Sequence, residues 1–226
     1  MIGFLLLLAA APTQAQAQAV DSGTFVVRRD TTEIARETFQ LTRGGLTAGG
    51  TGWRLATVVR YGRPRPAVTL APILEVADDT LPQTLQYDVA ERDRSARILG
   101  QLGPGRFTVR VVARASERAR EFPATGATVV LDDSVPSLYV FAAWLAGGAP
   151  RTVNAIVPRA LRHDAIVIRD LGQGSERVGG AAATLRHVQV TGGPPGTVDL
   201  WLDREGRLVK VACAGTGITA ERLPLN

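Results

Sequence analysis

Alternation of apolar and polar residues is the main pattern of this chain, and it predicts strands along most of the length. The clearest example is Arg106–Arg114, in which one face is apolar, formed by Phe107, Val109, Val111 and Ala113. The arginines of this segment fall on the other face. Successive side chains of a strand point to opposite sides, so the segment is typical of a strand with one buried and one solvated face.

Similar segments follow one another, separated by turns rich in Gly, Pro or charged residues. The predicted strands are Thr24–Arg29, Ile34–Leu41, Trp53–Tyr61, Val68–Val76, Thr84–Ala90, Ala96–Leu102, Thr128–Leu131, Val153–Val157, Ala165–Arg169, Ala183–Val190, Thr197–Leu202 and Leu208–Ala214. Proline has no backbone N–H, so Pro72 predicts a bend or an edge position for its strand. We expect a turn through Glu117–Pro123.

One segment, Asp132–Gly148, has a helical rather than an alternating pattern, and we predict a helix over Val135–Ala146. Asp133 or Ser134 is the expected N-cap, Pro136 suits the first turn, and a Gly147-Gly148 pair can end the helix. The helix is apolar on nearly all sides, which requires that it be covered on nearly all sides.

These elements predict a mainly β fold. A dozen strands with one buried helix exclude a doubly wound α/β fold and favour one large antiparallel sheet, curved as a half-barrel or open barrel around the apolar helix. The length left after the N-terminal segment suits one β-rich domain, residues 20–226.

The first 19 residues, Met1–Ala19, combine a short apolar run with small and polar residues that end in Ala-Gln-Ala, a pattern typical of a signal peptide. The apolar run is shorter than the roughly 20 residues that a membrane-spanning helix needs, so we expect no stable membrane span. A retained N-terminal anchor is the alternative. We therefore predict a periplasmic or secreted protein.

The chain has 26 Lys and Arg residues against 21 Asp and Glu residues, a formal net charge of +5, and Lys210 is its one lysine. The arginines are scattered through strands and turns, which is typical of solvated β faces and argues against nucleic-acid binding. The single cysteine, Cys213, excludes a disulfide within the chain.

Catalytic candidates are few. A nucleophile needs a base within reach, and the histidines are His163 and His187, neither in a recognised metal-ligand spacing. Cys213 shares the face of neighbouring valines and is interpreted as a buried apolar residue. The tripeptide Asp21-Ser22-Gly23 matches a short signature of aspartic proteases, but no apolar strand precedes it. We predict no enzyme activity, no cofactor and no metal site.

The layout of the chain resembles a known group. It combines an opening strand at Gly23–Val27, a long meander, an apolar helix after mid-chain and a final hairpin at Leu200–Val209. In these features the chain is similar to periplasmic half-barrel proteins, which include the LolA and LolB lipoprotein carriers and related uncharacterised exported bacterial families. The resemblance implies a site for acyl chains between an incomplete barrel and its helices. This chain differs in having one predicted helix and no anchoring cysteine, so only the general idea of an apolar ligand is carried over.

We therefore predict an envelope protein that binds an apolar or amphipathic ligand, with a lipid or acyl chain as the candidate, between sheet and helix. The predicted ligand-binding residues are the large aromatic ones and a basic residue at the rim: Trp53, Tyr139, Phe141, Trp144, Trp201 and Arg151. Arg159 and Arg162 are further rim candidates for an anionic head group. The alternative is a structural or protein-interaction module of the envelope, with an envelope protein as its partner and no small-molecule ligand.

Overall fold

The structure is a computed structural model that describes residues 17–62, 65–92, 94–124, 126–193 and 195–224. The predicted signal peptide therefore lies almost wholly outside the described residues. The strands are β1 Gln18–Arg29, β2 Thr32–Gly45, β3 Thr51–Tyr61, β4 Val68–Ala77, β5 Pro82–Glu91, β6 Ser95–Gly103, β7 Arg106–Ala113, β8 Ser116–Pro123, β9 Thr128–Val130, β10 Arg151–Val157, β11 Arg162–Val178, β12 Ala181–Gly193, β13 Gly196–Leu202, β14 Leu208–Cys213 and β15 Ile218–Arg222. The one α-helix of the described residues, α1, is Tyr139–Trp144, directly preceded by a 3₁₀ turn at Pro136–Leu138.

All the strands belong to one sheet, whose order is β8 to β1 followed by β15 to β9. Two meanders therefore extend in opposite directions from a central antiparallel pair, in which Phe25 of β1 lies opposite Arg222 of β15. Only β9 and β10 pair in parallel among the described strands. A parallel pair needs a crossover connection, and residues 131–150, which include the helix, provide it.

The core lies between the concave face of this sheet and the helical segment, which consists of the 3₁₀ turn and α1. In β2, for example, every second residue is buried, from Ala35 through Glu37 and Phe39 to Leu41. Leu138 of the 3₁₀ turn and Phe141 of α1 are fully buried. The prediction of a large, mostly antiparallel sheet curved around one apolar helix is confirmed.

The helical segment is shorter than predicted. It covers residues 136–144 instead of Val135–Ala146. The N-cap residues of the 3₁₀ turn and of α1, Val135 and Leu138, form no side-chain cap hydrogen bond. Gly147 and Gly148 have no left-handed backbone, so they do not end the helix as expected. A buried side chain of the sheet, Glu37 in β2, accepts from the Ser137 amide in place of the predicted caps.

Three strand predictions were wrong. Glu117–Pro123 is not a turn but most of β8, and β15 was missed. Pro72 lies in neither a bend nor an edge strand, since β4 pairs with β3 and β5. In the pairing of β4 with β3, Ile73 lies opposite Ala56 and the next paired residue is Leu70, opposite Val59. The pairing therefore passes over Pro72, which has no backbone N–H to donate.

The two edges of the sheet, β8 and β9, do not pair with each other, so the barrel is open. Side chains bridge the gap: Arg120 of β8 donates from Nη1 to the carbonyl oxygen of Leu161 at 3.0 Å. The rings of Phe122 and His163 lie 5.7 Å apart. Of the described residues, no helix is long and apolar enough to cross a membrane.

Candidate ligand-binding cavity

Asp132 anchors the chain just before the helix. Its carboxylate is 1% exposed and accepts hydrogen bonds from the Tyr87 hydroxyl at 2.9 Å, from Arg159 Nε at 2.5 Å and Nη2 at 2.6 Å, and from the Ser134 amide at 2.9 Å. Burial, followed by the charge of Asp132, raises the pKa of Tyr87. Burial is the largest single influence on the pKa of Arg159 and lowers it, but the hydrogen bonds to Asp132 and the nearby negative charges, that of Asp132 first, together raise it. The Asp132–Arg159 salt bridge therefore fixes the entry of the helix.

Glu37 provides a second anchor, on the inner face of β2. Its side chain is fully buried and accepts from the Ser137 hydroxyl at 2.5 Å, the Ser137 amide at 3.1 Å and the Thr57 hydroxyl at 2.7 Å. Burial raises the pKa of Glu37 to about 7, although these hydrogen bonds lower it. Glu37 accepts from the Ser137 amide, the first backbone N–H of the segment after Pro136, which is the role expected of a cap.

A cavity of about 300 Å³ lies beside these anchors, between the start of the helical segment and the inner face of the sheet where the two meanders meet. Most of its wall is apolar, and polar groups cluster at its mouth. The lining residues are Arg29, Ile34, Tyr61, Asp133, Ser134, Pro136, Tyr139, Pro195, Val198, Val211, Cys213, Thr216, Ile218 and Ala220. The volume is at the lower end of the range for small-molecule sites, and an apolar wall with a few polar groups is typical of them.

The polar groups of the cavity wall are mostly engaged with the protein. The Tyr61 hydroxyl donates to the carbonyl oxygen of Ser134 at 2.9 Å, and the Cys213 thiol donates to the carbonyl oxygen of Pro195 at 3.7 Å. Burial raises the pKa of both Tyr61 and Tyr139, so these phenols are neutral. The interior of the cavity is therefore uncharged.

Other hollows are less suited to a ligand. A groove of about 760 Å³ along β5, β6 and β7 is larger, but it is an open surface groove lined partly by Thr84, Gln101 and Arg110. Ligand sites usually enclose most of the ligand, which an open groove does not. A second hollow under the helix, next to Ser137 and Val140, has only about 10 Å³. The cavity beside Tyr139 is therefore the candidate site.

The structure brings together three of the predicted site residues, but away from this cavity. The Trp144 ring lies 4.8 Å from the ring of Trp53 and 5.3 Å from that of Phe141. None of the three lines the cavity. Phe141 is fully buried, whereas Trp53 and Trp144 are half-buried. They form a packed aromatic cluster at the end of the helix.

The remaining predicted site residues lie in different parts of the structure. Tyr139 lines the cavity, and its part in ligand binding stays a prediction. Trp201 does not lie under the sheet, because it alternates with the buried residues of β13 and therefore lies on the outer face, stacked on His187 at 4.9 Å. Arg151 is exposed at the start of β10. The other rim candidates bind carboxylates instead, Arg159 at Asp132 and Arg162 at Asp164.

The residues considered for catalysis do not converge. His187 lies 2.8 Å from Asp199 on the outer face, while His163 is at the sheet opening. Asp21, from the tripeptide that resembles an aspartic protease signature, pairs with Arg222 at 2.6 Å. Within the described part of the chain, no group of three or more His, Cys, Asp or Glu side chains could hold a metal ion.

Sequence reasoning missed Arg29, Glu37 and the role of Tyr61 at the site. Alternation alone places Glu37 on the face of Phe39 and Leu41, so a carboxylate in line with core residues was a usable signal. Arg29 had no comparable signal. Its position at the cavity depends on the pairing of β1 with β15, almost 200 residues later in the chain.

Comparisons with known proteins support the architecture. No protein-family model matches the chain, and no curated protein matches it. Of the solved structures, the crystal structure of a beta-barrel-like protein of domain of unknown function DUF1849 from Brucella abortus superposes with a TM-score of 0.53. The alignment covers 93% of this chain and 96% of that chain at 11% identity. This chain has a β-barrel-like fold. At this identity the likeness shows the fold alone, and the resemblance to the LolA and LolB carriers stays a prediction.

Proposed function

We propose that this protein is an exported, non-enzymatic envelope protein that binds an apolar or amphipathic molecule, with a lipid or acyl chain as the candidate. The ligand occupies the cavity between the start of the helical segment and the sheet. The observation that carries the proposal is the cavity itself, about 300 Å³ with a mostly apolar wall. Protein interiors normally pack to crystal-like density, so an opening of this size beside a filled core needs an explanation.

The alternative, a structural or interaction module without a ligand, has less support. Such a module is expected to combine a filled core with an apolar surface patch. The exposed large apolar side chains of the described residues are spread over separate segments: Val20 in β1, Val112 in β7, Leu171 in β11 and Leu223 after β15. Scattered exposed apolar residues are normal for a folded protein.

Native mass spectrometry of the protein, purified gently from its own cell envelope, tests the proposal. We expect a reproducible mass increment from a co-purified apolar or amphipathic molecule. Val211 lines the cavity, and a phenyl ring at this position occupies the space of the ligand. The Val211→Phe variant should therefore lose the increment.

Val112→Phe is the matched control, because Val112 is on β7, does not line the cavity and is exposed. This variant should keep the increment. A wild-type protein that carries no ligand and does not respond to added fatty acid or phospholipid would contradict the proposal. An increment that survives Val211→Phe would place the ligand elsewhere.

A further inference from the structure

Arg29 is the last residue of β1 and is exposed where it reaches the mouth of the cavity. It shares the inner face of β1 with Phe25 and Val27, two strand positions apart from one another. On the two adjacent strands, Arg29 lies opposite Ile218 of β15 and Thr32 of β2. The strands on both sides therefore fix its backbone, and its side chain lines the opening.

No hydrogen bond or ion pair joins the Arg29 guanidinium to any residue that the structure describes. Arg28, next to it on the opposite face, pairs with Glu221 at 3.5 Å. Most other arginines near the helix also have partners, such as Arg159 at Asp132 and Arg186 at Asp170. Arg29 is thus an unpaired cation at the rim of an apolar cavity.

The acidic residue at the same mouth, Asp133, is already hydrogen-bonded within the protein. Asp133 accepts from Arg159 Nη2 at 3.1 Å and from the Ser134 hydroxyl at 2.9 Å. The charged group that is left without a partner at the opening, among the described residues, is therefore the Arg29 guanidinium. Guanidinium groups bind carboxylates through paired, charge-assisted hydrogen bonds, and their aliphatic stems pack on apolar surface.

The volume of the cavity limits the size of the part of a ligand that it can enclose. A cavity of 300 Å³ has room for about ten water molecules, and so for about ten non-hydrogen atoms. A long acyl chain does not fit inside it while its head group stays at the mouth. An aliphatic chain of about eight carbons fits inside the cavity with its head group at the mouth.

We propose that the cavity takes a short amphipathic carboxylate, with its chain against Val198, Val211 and Ala220 and its carboxylate on Arg29. This assignment rests on the proposed function and narrows its ligand class. Arg29 is then the residue that selects acids over neutral or cationic molecules of the same shape.

The test is calorimetric titration of the full chain at low salt with octanoate, octanol and octylamine as probes. Octanoate should bind wild type, and Arg29→Gln should weaken it by about tenfold, as expected for one charge-assisted contact at a partly exposed site. Octanol should bind both proteins equally. Arg28→Gln, which removes the same charge from the opposite face, should leave octanoate binding unchanged.

Alkylation of Cys213, which lines the cavity, gives a second readout, because bound octanoate should slow it in wild type and much less in Arg29→Gln. Equal octanoate affinity in wild type and Arg29→Gln, or tighter binding of octylamine, would overturn the carboxylate assignment and leave the proposed function intact. If no probe binds wild type or protects Cys213, the proposed function itself is contradicted.

Discussion

Ionisation of Glu37 should make the protein less stable as the pH rises from 5 to 8. Glu37 is fully buried between β2 and the helical segment, where Ser137 and Thr57 donate to it. These donors stabilise the carboxylate, but the loss of solvent costs more, and the pKa rises from its ordinary value of 4.5 to about 7. The folded protein therefore holds this proton more tightly than the unfolded chain does.

The size of the effect follows from this difference. Below pH 4.5 both states are protonated and the contribution of Glu37 is fully present. Between pH 4.5 and about 7 the folded state retains a proton that the unfolded chain releases, so the free energy of unfolding falls by about 1.4 kcal/mol per pH unit. The whole interval amounts to about 3 kcal/mol, which is a large part of the stability of a single domain.

Other shifted carboxylates act in a different pH range. Asp88, Asp170 and Glu176 have pKa values lowered by hydrogen bonds to Arg97, Arg186 and Lys210, respectively. Such groups stabilise the fold above their unfolded pKa, and that stability is lost as the pH falls through their folded pKa. They therefore change little between pH 5 and 8, and Glu37 dominates there.

Urea unfolding followed by tryptophan fluorescence, at several pH values from 5 to 8, measures the effect. Wild type should lose about 3 kcal/mol over this range, whereas Glu37→Gln, which cannot ionise, should lose little. Glu117→Gln is the control, because Glu117 is an exposed carboxylate in β8 and its side chain is 55% exposed. This variant should keep the wild-type slope. A flat wild-type profile, or an unchanged slope in Glu37→Gln, would refute the reasoning.

Three further substitutions and one control substitution test the packing and the ion pair at Asp132, each by urea unfolding at pH 7. Trp144→Ala should cost about 2 kcal/mol, less than for a fully buried tryptophan, since Trp144 is half-buried; a loss below about 1 kcal/mol would contradict its place in the aromatic cluster. Arg159→Met should cost about 3 kcal/mol, because it leaves the buried Asp132 carboxylate without its cation. Gly100→Ala should cost about 1–3 kcal/mol, since a Cβ there meets a phenylalanine ring at 2.5 Å, while Gly174→Ala, with open space around it, should change stability by less than about 0.5 kcal/mol.

The strands that could be predicted are those with one buried face. Arg106–Arg114 alternates cleanly and becomes β7, Arg106–Ala113. By contrast β8 is exposed at nearly every position, because it is an edge strand, and its run of charged residues predicts a turn. Charged residues are a common protection of sheet edges. Local patterns therefore identify strands only where the fold buries one side of them.

The helix shows a different limit of sequence reasoning. Its apolar character predicts enclosure, which the structure confirms, but the predicted caps Asp133 and Ser134 are not used as caps. The bond to the start of the segment comes instead from Glu37, which is 100 residues away in sequence from Ser137. A contact of this kind depends on the three-dimensional arrangement, so local cap rules do not predict it.

The aromatic residues of the site divide for the same reason. All large aromatic side chains look alike in an apolar pattern, yet Tyr139 reaches the cavity, Phe141 is fully buried and Trp201 is on the outer face. Which of them lines an opening depends on where packing is incomplete. Packing density is a property of the whole core, so residue type alone does not reveal the position of the cavity.

The polar anchors and the cavity belong to one arrangement. An apolar helix in an apolar barrel has few directional contacts, so its position along the barrel is weakly defined by packing alone. Asp132 and Glu37 supply directional contacts, because they accept hydrogen bonds from the amides of Ser134 and Ser137, respectively, on either side of Pro136. Ser134 and Pro136 are themselves part of the cavity wall. Buried carboxylates are costly to desolvate, so two at this junction are better explained by fixing the helix, and hence the cavity wall, than by stabilising the fold.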